Sequence, residues 1–185
     1  MNRLPVLWLA ATVTALSSLP SRAMAALEPG QAAPGFSAPA ALAGREFTFD
    51  LAQALAQGPV VLYFYPAAFT SGCTVEAHLF AEATERYRAL GATVIGVSGD
   101  DMETLKRFSL GPCGSKFAVA SDRDGAIMKA YDSAHAIRPG MAARISYVIS
   151  PQGEVVYQYG DSNPEKHVEN TLRALREWRA QAVPR

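Results

Sequence analysis

The sequence predicts an α/β fold, a mixed β-sheet flanked by helices on both faces and opened by an N-terminal β-hairpin. Three observations predict it. Residues 60–65, Val-Val-Leu-Tyr-Phe-Tyr, form a continuous β-branched and aromatic run stopped by Pro66, the pattern of a strand buried on both faces. Further strand-like runs at 93–98 and 117–120 alternate with helical patterns, an order that implies parallel pairing through right-handed crossovers. With 49% hydrophobic and 18% charged residues in 185, the chain has the composition of a compact globular protein.

The elements follow in order. Residues 27–43 are rich in Pro, Gly and Ala, which excludes a helix and suggests an extended lead-in. Phe36 and the alternating Phe47-Thr48-Phe49 suit a short hairpin around Gly44. Asp50 caps a short helix over 51–57, ended by Gly58-Pro59. After the central strand, Val75, Leu79, Ala83, Tyr87 and Leu90 recur at helical spacing, and Gly91 closes that helix. A strand at 93–98, a helix at 101–108, a strand at 117–120 and a helix at 124–131 come next. Residues 144–150 and 154–159, joined by Pro151-Gln152-Gly153, make a second hairpin. Pro164 starts a final helix to about 182, with Val168, Leu172, Leu175 and Trp178 on one side. No internal repeat or low-complexity linker interrupts this order, so residues 26–185 read as one domain.

Residues 1–25 are set apart from the fold. Arg3, an apolar run over 4–16, a polar break at 17–22 and the small-residue triplet Ala23-Met24-Ala25 make a secretory signal pattern. The run is short of the roughly 20 residues a spanning helix needs, which argues against stable membrane insertion. Cleavage after Ala25 removes Arg3 and Arg22 from 17 Lys+Arg, leaving 15 against 17 Asp+Glu, a formal charge of −2. The expectation is an exported protein, in a bacterium a periplasmic one. With no basic stretch, the chain lacks the electrostatic footprint of nucleic-acid binding.

The two cysteines, Cys73 and Cys113, are too few for a disulfide scaffold or a four-cysteine zinc site; one bridge or a chemical role remains. Cys73 stands at the start of the amphipathic helix, facing unpaired backbone N–H groups and the positive end of the helix dipole. Such an environment favours the thiolate, the attacking species. The competing reading is an inert buried thiol. His78, five residues on, is rotated about 500° around the helix from Cys73 and reads as structural or solvent-facing. His135 and His167 have no metal-ligand spacing, and Tyr157 and Tyr159 read as strand packing.

The segment from Tyr63 to Ala77, with Pro66, Thr70 and Cys73 at their spacing, resembles the active-site signature of the peroxiredoxins (AhpC/TSA). Its Tyr-Phe-Tyr-Pro and Gly-Cys-Thr are most similar to the bacterioferritin-comigratory or PrxQ branch. The resemblance runs from about Pro34 to the last helix and includes Ala120-Ser121-Asp122 and the run 144–149. It implies a thioredoxin-like fold and a thiol-dependent peroxidase for hydrogen peroxide and organic hydroperoxides, with no cofactor or metal.

Under that resemblance Cys73 is the peroxidatic cysteine and Arg144 the active-site arginine. Negative charge builds on the departing oxygen during attack, so Arg144 and the Cys73 N–H are suited to stabilise it. The Thr70 hydroxyl has one hydrogen bond to give and others to accept, which suits holding peroxide and thiolate in register. Pro66 would exclude water from the sulfur. Attack leaves a sulfenic acid that a second thiol condenses with. The chain departs from the commonest PrxQ pattern, carrying His78 where a resolving cysteine lies five residues after the first. Cys113, in the glycine- and serine-containing and so flexible stretch 109–115, is the candidate resolving cysteine; a one-cysteine cycle is the rival. The implied partners are a peroxide and a thioredoxin-like or small-thiol reductant, and the expected assembly is a monomer or weak dimer. The alternative is an exported thioredoxin-fold redox or metal-binding protein without peroxidase activity. A Cys-X-X-Cys exchanger is disfavoured because Cys73 lacks the second cysteine, and a metal carrier because only His78 is near in sequence.

Overall fold

In a computed structural model, residues 26–182 are described; the signal pattern at 1–25 lies outside them. Seven strands form one sheet in the order β2-β1-β5-β4-β3-β6-β7. The strands are β1 (Ser37–Leu42), β2 (Arg45–Asp50), β3 (Val60–Phe64), β4 (Thr93–Ser98), β5 (Ala118–Ser121), β6 (Ile145–Ile149) and β7 (Val155–Gly160). The helices are α1 (Leu51–Leu55), α2 (Ser71–Ala89), α3 (Met102–Leu110), α4 (Ala126–Ala130) and α5 (Glu165–Ala182). The predicted elements are present in the predicted order, with ends shifted by a few residues.

β3 is buried along its whole length because it has a partner on each edge and a core on each face. It pairs in parallel with β4, Leu62 opposite Ile95, and antiparallel with β6, Leu62 opposite Tyr147. On one face, α2, α3 and α5 cover Val61, Tyr63, Val94 and Val119 with Ala77, Phe80, Leu105, Phe108, Leu172 and Leu175. On the other, α1 and α4 cover Leu62, Phe64, Ile95 and Val97 with Leu51, Leu55, Ile127 and Met128. The alternating side chains of a strand thus feed two cores. The stacks Tyr63 on Phe80 (4.4 Å between centroids) and Tyr65 on Phe108 (5.6 Å) fix α2 and α3 to β3.

Local sequence sets the connections. Ala43 (φ 51°) and Gly44 (φ 74°) make a two-residue β1–β2 turn with both residues left-handed, the hand that matches strand twist. Asp50 Oδ1 accepts the Gln53 N–H and Asp101 Oδ1 the Thr104 N–H, capping α1 and α3. Among the described residues, no helix is long and apolar enough to cross a membrane.

Candidate active site

Parallel pairing of β3 with β4 brings their C-terminal ends to one edge of the sheet, where ligand sites of such sheets form. The loop after β3 carries Pro66 to Thr70 and leads into α2. That loop is held by Asp100, beyond the end of β4: its Oδ2 accepts the Ala68 N–H at 2.7 Å and the Ser98 hydroxyl at 2.8 Å. Thr70 is the N-cap residue of α2, and its side chain makes no cap hydrogen bond. The first closed turn is Thr74 N–H to Thr70 O at 2.9 Å, so the amides of Ser71, Gly72 and Cys73 have no intrahelical acceptor. Cys73 therefore sits within the electropositive first turn of a 19-residue helix. Its side chain is 1% exposed.

Arg144 arrives by strand register. Because Phe64 pairs with Ile145, Arg144 stands beside the chain just past β3, next to the start of α2. Its guanidinium makes three separate contacts. Nη2 donates to Cys73 Sγ at 3.4 Å, Nη1 donates to Glu76 Oε2, and Nε donates to Ser162 O at 3.2 Å. Gly72 leaves room for it, since a Cβ there would lie 3.1 Å from Nη2. Only 7% of the Arg144 side chain is exposed and none of Glu76. Burial pushes the Glu76 carboxyl up to about 8, against the opposing pull of Arg144.

Behind Glu76 lies His167 of α5, fully buried. Its Nδ1 is 2.8 Å from Ser146 Oγ and 3.7 Å from Glu76 Oε1, and its Nε2 is 3.0 Å from Asp161 O. The Tyr159 ring packs edge-on against the imidazole at 4.8 Å. Burial pushes His167 down to about 4.

Pro66 and Arg144 line a cleft of about 500 Å³ with His135, Arg138, Ile145 and Ser162. The Thr70 hydroxyl donates to Ala67 O at 3.0 Å, so its single proton is engaged and acceptor capacity is what it offers a ligand. His78 is exposed, as its rotation from Cys73 requires. Among the described residues, no group of three or more His, Cys, Asp or Glu is placed to hold a metal ion.

The region around Cys113 differs from the flexible stretch expected of it. Gly114 (φ 55°) and Ser115 (φ 57°) turn the chain back on itself, and the Cys113 N–H donates to Phe108 O at 3.1 Å. The glycine serves a tight turn rather than mobility, and the thiol is fully buried in the same core as Cys73. Burial also pushes the Cys113 thiol well above the usual cysteine range. Cys73 and Cys113 are both free thiols.

Glu76 and His167 were not singled out by sequence reasoning as parts of the site. The signal for Glu76 was present: three residues after Cys73 on a helix, it faces the same side, whereas His78 does not. His167 precedes Val168 and lies one helical turn before buried Thr171, which marks it as inward-facing, but nothing in the sequence pairs it with α2.

The profile of the AhpC/TSA family matches residues 29–158. A chloroplastic peroxiredoxin Q of Triticum aestivum is 38% identical over 118 residues, 63% of this chain and 54% of that protein. The chloroplastic peroxiredoxin Q of Sedum lineare is 36% identical over 118 residues, 63% of each chain. The chain thus spans little more than half the length of such relatives. Among solved structures, peroxidoxin BcpB of Mycobacterium tuberculosis superposes with a TM-score of 0.74 at 25% identity, over 82% of this chain and 97% of that one. A reduced 2-Cys peroxiredoxin of Plasmodium vivax shares the fold, with a TM-score of 0.75 at 23% identity over 83% and 98% of the two chains. The fold is the thioredoxin-like fold of peroxiredoxins, and this chain belongs to the AhpC/TSA family, its sequence likeness running to the peroxiredoxin Q branch.

Proposed function

We propose that the protein is a thiol-dependent peroxidase that reduces hydrogen peroxide and organic hydroperoxides at Cys73. The observation that carries this is the Arg144 Nη2 contact with Cys73 Sγ at 3.4 Å in the first turn of α2. A fixed cation beside a sulfur that already faces open backbone amides meets the charge that forms next to it during attack. The sulfur attacks one peroxide oxygen in line, the O–O bond breaks, and the second oxygen leaves with the electron pair and takes up a proton as water or an alcohol. Cys73 is left as a sulfenic acid. In this reading Arg144 and the Cys73 N–H stabilise the departing oxygen, Thr70 accepts the hydroxyl of the bound peroxide, and Pro66 closes the cleft against water.

Recycling proceeds by attack of the Cys113 thiol on the sulfenic sulfur, releasing water and forming a disulfide that a thioredoxin-like dithiol reduces. The burial of Cys113 favours a second reading of this step alone, in which an external thiol reduces Cys73 directly. The signal pattern of residues 1–25 supports export, in a bacterium to the periplasm.

The assignment is tested by peroxide consumption of the reduced protein and of Cys73→Ser. Activity in the parent that vanishes in the variant is the expected result. A variant that consumes peroxide at the parent rate would overturn the role of Cys73.

A further inference from the structure

Arg144 carries one positive charge and touches two acids, Cys73 through Nη2 and Glu76 through Nη1. Which acid is ionised depends on what stands behind Glu76. The Asp161 carbonyl is only an acceptor, so the His167 Nε2 at 3.0 Å carries a proton, and complete burial of the ring disfavours a second one, leaving a neutral imidazole. Nδ1 is then a lone pair, and Ser146 Oγ–H at 2.8 Å donates to it. Glu76 Oε1 is buried, has no hydrogen-bond partner, and faces that lone pair at 3.7 Å, too close for a water between. An ionised Oε1 would set two acceptors against each other out of water, the costly arrangement for a buried polar atom. A proton on the carboxyl takes the charge off Oε1 and so removes the repulsion from Nδ1, whose one lone pair already accepts from Ser146.

Resting on the peroxidase reading above, we infer that Glu76 is held as a neutral carboxylic acid by His167, so that the Arg144 charge is left to the Cys73 sulfur. Glu76 and His167 are positioning residues, acting on the sulfur only through Arg144. The charged or titratable neighbours are few. Cys73 on α2 and Arg144 before β6 contact or flank Glu76, Tyr63 on β3 is coupled to it, and His167 on α5 stands behind it, with the Asp161 carboxylate acting on the imidazole and Tyr159 packed edge-on against the ring. When Glu76 loses its proton at alkaline pH, its carboxylate competes with the sulfur for Arg144, and peroxide attack slows.

The test is the second-order rate of the full-length reduced protein with hydrogen peroxide from mildly acidic to alkaline pH, joined to a carboxyl 13C NMR titration of glutamate-labelled protein. Expected in the parent are one glutamate carboxyl titrating near 8 and an alkaline fall in rate with the same midpoint. Glu76→Gln should lose both the resonance and the fall. In His167→Asn an amide N–H replaces the ring lone pair, stabilises the carboxylate, and should lower both midpoints by about one unit or more. A Glu76 resonance already that of a carboxylate at pH 6, or an alkaline fall that survives in Glu76→Gln, would overturn the inference, with no need for the His167 variant to fold. If the protein consumes no peroxide at any pH, the peroxidase reading fails, and the NMR titration still decides the state of Glu76.

Discussion

Arg144 and Cys73, 71 positions apart in the chain, meet at 3.4 Å because the register of β6 on β3 delivers one to the helix start that holds the other. The guanidinium reaches the sulfur with its other two arms tied to Glu76 and Ser162. That division of labour needs a planar fork of donors.

Lysine should therefore fail in this position. Arg144→Lys keeps the charge but offers a single ammonium on a flexible stem, which cannot serve Cys73, Glu76 and Ser162 O at once. Loss of one aligned donor to developing charge costs about 10² to 10³ in rate. Stopped-flow kinetics with hydrogen peroxide should show a loss of that size in Arg144→Lys, with near-normal far-UV circular dichroism.

Gly72 gives a separation of activity from stability. A Cβ there would press on Arg144 Nη2 at 3.1 Å, and the side chain would have to give by a few tenths of an ångström at the arm that faces the sulfur. Gly72→Ala should slow peroxide attack by about tenfold, since small misplacements near reacting atoms are expensive. Its Tm should be equal or slightly higher, because alanine suits a helix better than glycine. A lowered Tm with an unchanged rate would contradict this.

The burial of Cys113 means that the proposed recycling through it needs local opening. A disulfide needs Cα atoms within about 7 Å and aligned Cβ vectors, so the turn after α3 and the first turn of α2 must give way. After one equivalent of peroxide, non-reducing peptide mapping should find Cys73 linked to Cys113 at monomer mass. Urea below the unfolding transition should speed that linkage while leaving the sulfenic acid step nearly unchanged. Cys113 that stays open to alkylation only after unfolding, with Cys73 accumulating as sulfinic acid, would leave the external-thiol cycle.

Two buried groups give stability opposite pH slopes. His167 binds its proton at an ordinary 6.5 when unfolded and only near 4 when folded, so its contribution is present above 6.5 and lost as pH falls through 4. At 1.36 kcal/mol per unit the loss is about 3 kcal/mol. Glu76, 4.5 when unfolded and about 8 when folded, contributes fully below 4.5 and loses its contribution as pH rises through 8. In urea melts the stability of the variant relative to the parent should rise for His167→Asn as pH falls from 6.5 to 4 and for Glu76→Gln as pH rises from 4.5 to 8, the two slopes opposing each other in the parent between 4.5 and 6.5.

The fold was legible because its elements are local. The uninterrupted run of β3 and the cap Asp50 reflect physics within a few residues, and the helical recurrence from Val75 to Tyr87 located α2, although the face it buries runs through Cys73, Glu76, Phe80 and Thr84 and leaves Val75 exposed. Strand order was not legible: β6 enters antiparallel beside β3, and β1 beside β5, by choices of pairing that neither strand's own pattern records.

The site divides the same way. Pro66, Thr70 and Cys73 lie on one loop and helix start, so their spacing alone brought them together. Arg144 stood out only by resemblance, its partners Glu76 and Ser162 lie 68 and 18 positions away, and His167 meets Glu76 across 91. The turn at Cys113 looked mobile from its composition and proved closed, since glycine permits both a hinge and a tight turn and only packing decides between them. Sequence by itself marked Pro66, Thr70 and Cys73 as the groups proposed to carry the chemistry. Tertiary structure decided the burial of Glu76, His167 and Cys113 and the reach of Arg144, because desolvation and hydrogen-bond partners are supplied by neighbours that are distant along the chain.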